Sequence, residues 1–497
     1  MIDQVRGVIF ILILFFFPSS GSGQNIFTEK ALEYKNEFLP YDIAYTVPLE
    51  DKEFVMLTEQ KKNKMKLGRY DQYFFDKWEK EIEFDKAESV PQLFIKGDSI
   101  VIFDFTSDSD KNQFRLNFQY FDLKSGKDTL ATGYVFDMME NAQFSPKISF
   151  SSDRSKFVVY NYIVHHEKTR KVEFQIFDLG KKTPLNKHYL DLEKFTSTIA
   201  GSVHLSNDGD LFMALVEAEN FKTETFFWAS NSKEPRHIQN NFFFERPVEK
   251  IGNIDIIRQS NSSYIVTFSA LIDEELIGFN VTGYNIVLQT VMFSHNQNFG
   301  NGEIESLYDK YYVTSDNQRK KYLKIPDVLK EFRLVGSFEN TANNIILVIE
   351  NLEIPTSFHK NSVSDNMSWK YKTKEDKFYF GGDILLYCFT ESGEIKWKKA
   401  IQKTQFSQAN SLGLSYIPRM SQDVLKLLLY ESSKNGNFYL LDINTLDGSL
   451  TKTINLLPDK KLEFTKKYSC WLNDNSLVIC GVSPTNYKKR TLMLVEF

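Results

Sequence analysis

Cysteine is scarce in this chain. Cys388, Cys470 and Cys480 are the only three in 497 residues. Three thiols cannot build a disulfide framework, so stability has to come from a buried core. Glycine and proline number only 23 and 13, which excludes collagen-like and low-complexity classes. Basic charge is not in excess either: 60 Lys and Arg against 65 Asp and Glu leave a net charge of −5, with no footprint for a nucleic-acid backbone. Nucleic acid is therefore not an expected partner. Past residue 17, no run approaches the ~18 apolar residues of a spanning helix, so no transmembrane segment is expected in the mature chain. What is abundant is aromatic side chain, with 44 Phe and 24 Tyr in a chain that is 42% hydrophobic, ample for a large core.

The one long apolar run lies at the start. Val8 to Phe17 reads VIFILILFFF, preceded by Arg6 and followed by Pro18 and the small residues Ser19 to Gly23. At roughly half of the ~20 residues needed to cross a bilayer, it reads as a secretory signal rather than an anchor. Residues 1–23 are expected to be removed, and export to a periplasmic or extracellular space follows. No cysteine stands near the cleavage point, so a lipoprotein is not expected. With only 12 Arg among the 60 basic residues, the composition favours a bacterial source. Asn261, Asn280 and Asn366 each begin an N-x-S/T triplet, which matters only in a eukaryotic secretory pathway.

Residues 24–497 carry a repeat. Eight apolar β-type runs start at Phe54, Ile100, Phe157, Leu211, Tyr264, Ile345, Val424 and Leu477. Five of the seven spacings are 46 to 57 residues, a length suited to a four-stranded sheet and too long for most helical solenoids. Downstream of two of them, Leu116–Leu123 (LNFQYFDL) and Val172–Leu179 (VEFQIFDL) agree at five of eight positions and alternate apolar with polar, as half-buried strands do. Phe438–Asp442 is a fainter copy. Turns containing Gly126, Gly393 and Gly448 follow such strands, where glycine supplies positive φ. The pattern predicts an all-β fold, a β-propeller of seven or eight four-stranded antiparallel blades, with eight favoured. The longer spacings place insertions at about 302–333 and 353–378, and insertions in repeat proteins usually map to one face, which often binds. If Ile26 to Leu39 supply the fourth strand of the last blade, the ring closes by pairing of the chain ends.

Phe144–Asp153 (FSPKISFSSD) followed by Lys156–Tyr160 resembles the WD40-like repeat of TolB-type β-propellers, in which a Ser-x-Asp-Gly turn introduces the second strand. Arg154 stands where that family has glycine, whereas the similar turn Ser206-Asn207-Asp208-Gly209 keeps it. Leu386–Trp397 is similar to one copy of the repeat of quinoprotein-like propellers. These resemblances imply the propeller superfamily over the mature chain and no particular family within it.

Catalytic signatures are missing: there is no G-x-S-x-G, H-E-x-x-H, C-x-x-C, P-loop or G-x-G-x-x-G. His165-His166 would point to opposite faces of a strand, a poor metal pair. Asp108-Ser-Asp-Lys-Asn112 has the alternating oxygens of a calcium loop, but Gln113 and Gln119 replace its glycine and closing glutamate. No catalytic, cofactor or metal residue is assigned. The lysine run at Lys61–Lys66 and Tyr487–Arg490 reads as charged faces of edge strands. The five tryptophans, Trp78, Trp228, Trp369, Trp397 and Trp471, are either a sugar-stacking platform or packing between blades. A three-residue turn at Asp474-Asn475-Ser476 would place Cys470 and Cys480 opposite one another, close enough for a disulfide in an oxidising compartment; a two-residue turn would put them out of register. The functional expectation is an exported propeller that binds a protein, peptide or glycan without catalysis, as a monomer or as part of an envelope complex. The alternative is a propeller enzyme, a glycan lyase, glycosidase or peptidase relative, with its residues drawn from several blades.

Overall fold

The structure, a computed structural model, describes residues 25–33, 45–61, 64–83, 92–108, 113–137, 147–165, 168–181, 184–192, 199–217, 221–258, 263–272, 275–298, 332–353, 379–401, 403, 405–407, 416–431, 437–456, 463–464, 469–483 and 486–497. Among these residues the strands form eight antiparallel sheets. They are the blades of a β-propeller, with one 3-10 turn, Glu50–Lys52, as the only helical element described. Blades 1 to 7 span 45–83, 92–137, 147–191, 199–241, 250–298, 332–407 and 416–456, each ordered in space as in sequence. The first strands touch their counterparts in neighbouring blades and so line the axis.

Blade 8 is assembled from both ends of the chain. Its third strand, Asn486–Glu496, pairs on one side with Ser476–Ser483 and on the other with Asn25–Glu33, the register running from Asn25 opposite Glu496 to Glu33 opposite Lys489. The expected closure by the N-terminal segment is therefore present. It gives the last blade an outer strand and leaves the ring without an open seam.

All eight apolar runs are second strands, the most buried position of a blade. In Leu211–Glu217 every residue is buried, because the alternate faces of the strand press on two different neighbouring blades. The wedge between blades is filled accordingly: Phe103, Phe118, Phe157 and Phe177 between blades 2 and 3, and Ile346, Val348, Leu386, Leu425 and Leu427 between blades 6 and 7.

At one end of the ring, the turns between first and second strands and between third and fourth strands form two belts. In the inner belt, Asn207 Oδ1 accepts from the Ser152 hydroxyl (2.9 Å) and the Asp153 amide (3.1 Å), and Thr341 Oγ1 donates to Asp423 (2.6 Å). In the outer belt, each of several outermost strands reaches the next blade's turn: Trp78 Nε1 donates to Leu123 O, Tyr134 Oη to Lys181 O, Arg236 Nη1 to Ile286 O, and Trp397 Nε1 to Thr445 O (2.9 to 3.2 Å). Glycine is required where the indole lies flat on the turn. Gly126 and Gly448 have φ of 68° and 73°, and an added Cβ would stand 2.6 Å from Trp78 and 2.8 Å from Trp397.

Several expectations need correction. The Asn473–Ser476 hairpin closes on two residues, so Cys470 faces Val478 and no disulfide joins Cys470 to Cys480; both are buried against blade 1. The lysine run lies on the second and third strands of blade 1, not on an edge, where Lys64 and Lys66 pair with Glu83 and Glu79 of the covering strand. Tyr487–Arg490 is likewise on a third strand, covered by the N-terminal one. Asn280 is fully buried, its amide donating to Asn296 (2.9 Å), so that triplet is closed to glycosylation in the folded chain. Arg154 takes the left-handed conformation (φ 57°) that its glycine counterpart would adopt freely. Its guanidinium lies over Phe150 and Phe94, 5.4 and 5.9 Å from their centroids, which offsets part of that strain.

Candidate functional site

Two polar groupings stand out. The first is an open cleft of about 400 Å³ at the belted end, where blades 7, 8 and 1 meet. Lys52 enters from the first turn of blade 1, Arg419 from the inner strand of blade 7, and Asn473 to Ser476 with Glu496 and Phe497 from blade 8. Asp474 anchors it, accepting from Arg419 Nε and from the Ser421 hydroxyl, each at 2.7 Å. These two bonds and the guanidinium charge hold its carboxyl below the usual aspartate range. Across the cleft Lys52 Nζ meets Glu496 Oε1 at 2.7 Å, and the Ser476 hydroxyl donates to the same oxygen at 3.3 Å. Phe497 packs on Trp471, centroids 5.7 Å apart, and its amide donates to Asn475 O.

The side-chain charges of the cleft pair off, with Lys52 and Arg419 against Asp474 and Glu496. Valences remain. Among the described residues, the two Nη groups of Arg419, Nδ2 of Asn473, both side-chain amide atoms of Asn475 (Oδ1 and Nδ2) and Oε2 of Glu496 have no protein partner, and none of the four residues is deeply buried. Lys52 is placed by a strained turn. Asp51 and Lys52 both have positive φ, 58° and 59°, a conformation that costs non-glycine residues about 1 kcal/mol or more each.

The second grouping is buried and spans blades 5 to 7. Lys403 and Glu350 form an ion pair with side chains 1% and 0% exposed, and the Lys403 amide donates to Asp383 at 2.9 Å. Tyr416, on the inner strand of blade 7, shares the same wedge. Burial first, then the negative charges of Glu350 and Asp255, raise its hydroxyl well above the usual tyrosine value. Asp255, on the inner strand of blade 5, is raised by burial against the opposing effect of a hydrogen bond with Ser337 of blade 6.

Of the residues singled out by sequence, Cys470 and Cys480 belong to a hydrophobic cluster and not to either grouping. The tryptophans do not form a platform: Trp78 and Trp397 dock on turns, Trp228 is buried between blades 3 and 4, Trp471 backs the cleft, and Trp369 lies outside the described residues. His166, residues 109–112, and the insertions at about 302–333 and 353–378 lie outside them too, apart from their bounding strand residues. The strand ends that bracket those insertions, at Asn298, Phe332, Glu353 and Tyr379, are at the end of the ring opposite the cleft. Among the described residues no group of three or more His, Cys, Asp or Glu is arranged to hold a metal, and no helix is long and apolar enough to cross a membrane. Sequence reasoning missed both groupings, whose members sit far apart along the chain.

The eight sheets and their closure define the chain as a β-propeller protein. No family model and no curated protein matches it. Among solved structures it is similar to the WD40 domain of SCAP from fission yeast, at 8% identity over 94% of this chain and 98% of that one, TM-score 0.39. It is also similar to the quinohemoprotein alcohol dehydrogenase of Comamonas testosteroni, at 8% identity over 95% and 75%, TM-score 0.43. A third is the β-propeller domain of the Trilobed protease from Pyrococcus furiosus, at 9% identity over 84% and 98%, TM-score 0.36.

Proposed function

We propose that this chain is an exported, periplasmic or extracellular β-propeller that binds a protein, peptide or glycan ligand without transforming it. The observation that carries the binding half is the cleft between blades 7, 8 and 1: open, with its side-chain charges paired, and lined by donors and acceptors that the protein itself leaves unused. Such convergent polar groups around a cavity orient a ligand. Export is supported by the apolar run and small residues that precede Gln24.

Asp255, Ser337 and Tyr416 favour a second reading, a propeller enzyme whose acid and hydroxyl groups come from blades 5, 6 and 7, since a carboxyl raised by burial suits a general acid. One experiment separates the two. The secreted chain is N-terminally sequenced, then titrated calorimetrically with peptide and oligosaccharide libraries while products are followed by mass spectrometry. Binding without product, from a chain beginning near Gln24, is expected. Product formation abolished by Asp255→Asn would overturn the binding reading in favour of catalysis.

A further inference from the structure

We infer that the cleft is a subsite for one neutral sugar unit presenting two adjacent hydroxyls. This deepens the binding reading above and rests on it. The first argument is charge. With Lys52 and Arg419 each matched to a carboxylate, the site offers no surplus for an anion, and a phosphate or carboxylate ligand would have to approach Asp474 and Glu496. A neutral ligand meets no such conflict.

The second argument is the pattern of free valences. Arg419 spends Nε on Asp474, which fixes the guanidinium plane and leaves its two terminal nitrogens as a pair of parallel donors. A pair of neighbouring hydroxyl oxygens matches that fork. Each hydroxyl must then donate its own proton, and Asn475 Oδ1 and, across the cleft, Glu496 Oε2 are acceptors lining the same cavity. A group that accepts and donates through one atom is what a hydroxyl is; a peptide backbone separates its carbonyl and amide and cannot use both sets from one position. The third argument is shape. Phe497, backed by Trp471, gives an apolar surface beside the polar one, as needed for the C–H face of a sugar ring. The volume sits near the small end of the about 300–1,000 Å³ typical of small-molecule sites, enough for a single unit of a longer chain. The strained Asp51-Lys52 turn fits the same picture, because it sets the ammonium that holds Glu496 Oε1 and leaves Oε2 unbonded.

The test uses the full mature chain on an array of neutral, sialylated and sulfated oligosaccharides, followed by calorimetric titration with the strongest neutral binder. Neutral glycans are expected to bind in preference to the acidic ones. Arg419→Lys, which keeps the charge and loses the fork, should weaken binding at least about tenfold, and Asn475→Ala about threefold to tenfold. The Asn475 side chain has no protein partner among the described residues, so the melting temperature of Asn475→Ala should match the parent, which keeps its result free of folding artefacts. A preference for acidic glycans, or neutral binding indifferent to both substitutions, overturns the inference. A blank array together with peptide-library binders that are lost in Arg419→Lys would sink the sugar assignment and leave the binding reading standing. A blank array and a blank peptide library would sink both.

Discussion

Blades 2 and 3 meet through aromatic rings, whereas blades 6 and 7 meet around a buried ion pair. In the first seam Phe157 stacks on Phe177 (4.8 Å, 8°), and the edge of Tyr134 meets both rings at 5.4 and 5.1 Å. In the second, aliphatic side chains surround Glu350, Lys403 and Tyr416. Both fill the same wedge. The aromatic seam needs no partner to be satisfied, since its rings lose little on leaving water, and it tolerates small shifts. The ion pair has to recover a large desolvation cost through one geometry; both its members belong to blade 6, so it fixes the wall of that blade against which Tyr416 of blade 7 packs while adding little net stability. One ring thus uses non-specific filler on one side and a position-specific lock on the other.

The sharpest way to break this contrast is to leave half of the lock in place. Lys403→Met takes the ammonium away from the fully buried Glu350 carboxylate and should cost about 4 kcal/mol of unfolding free energy in urea titration. The double variant Glu350→Leu, Lys403→Met should recover most of that loss. A double variant as unstable as the single would mean the pair is a net source of stability, and the contrast would fail. Next in size is the aromatic seam. Phe157→Ala should cost about 3 kcal/mol by the same titration, from lost burial and the cavity between Phe118 and Phe177. No second substitution in the seam should restore it, because filler has no partner to relieve.

The outer edges of the two seams differ as well. Tyr134 closes blades 2 and 3 with a hydroxyl bond, while Trp397 closes blades 6 and 7 by lying on Gly448. Gly448→Ala combines a left-handed backbone with a clash against the indole and should cost about 2 kcal/mol, read as a lower melting temperature. Gly97 is the control: its φ is 55° but nothing stands within 4 Å of an added Cβ, so alanine there should cost about half as much.

The aromatic seam was legible in the sequence and the ionic one was not. Phe157 and Phe177 lie in runs whose alternation and five-of-eight identity mark them as strands, and the period of roughly 50 residues marks the strands as blades. Even the closing strand could be expected, because the last blade lacked a fourth member. Glu350 and Lys403, by contrast, are 53 residues apart and read singly as ordinary surface ions; only the blade geometry buries them together. The cleft is further from view, since Lys52 and Glu496 are 444 residues apart and meet only because the ring closes. The cysteine register turned on one residue of loop length at Asp474-Asn475, a difference that local composition does not encode.

The smallest effect separates the seams by pH. Three histidines sit at other blade junctions: His188 beside Trp228 between blades 3 and 4, His204 beside Tyr264 between 4 and 5, and His295 beside Phe389 between 5 and 6. Burial lowers all three below the ordinary histidine value of 6.5, helped at His204 by the nearby Arg258 and opposed at His295 by a bond with Gln297. The unfolded chain then binds more protons than the folded one as pH falls below about 6.5, so stability is present above that value and is lost as pH falls through it. Asp255 acts the other way. Its raised carboxyl favours the folded chain at acid pH and disfavours it as pH rises from the carboxylate range, so the two contributions have opposite sign. The titratable groups described in the blade 2 and 3 seam are Tyr120, pushed up to about 12 by burial, Tyr134, raised as well, and the Arg154 guanidinium, none of which changes protonation near neutral pH. Melting temperatures between pH 7.5 and 5.5 should therefore fall for the parent and fall in parallel for Phe157→Ala, while the triple variant His188→Gln, His204→Gln, His295→Gln flattens the slope. Parallel slopes in all three proteins would show that the histidines are not what acid unfolds, and that the junctions around the ring differ in packing alone.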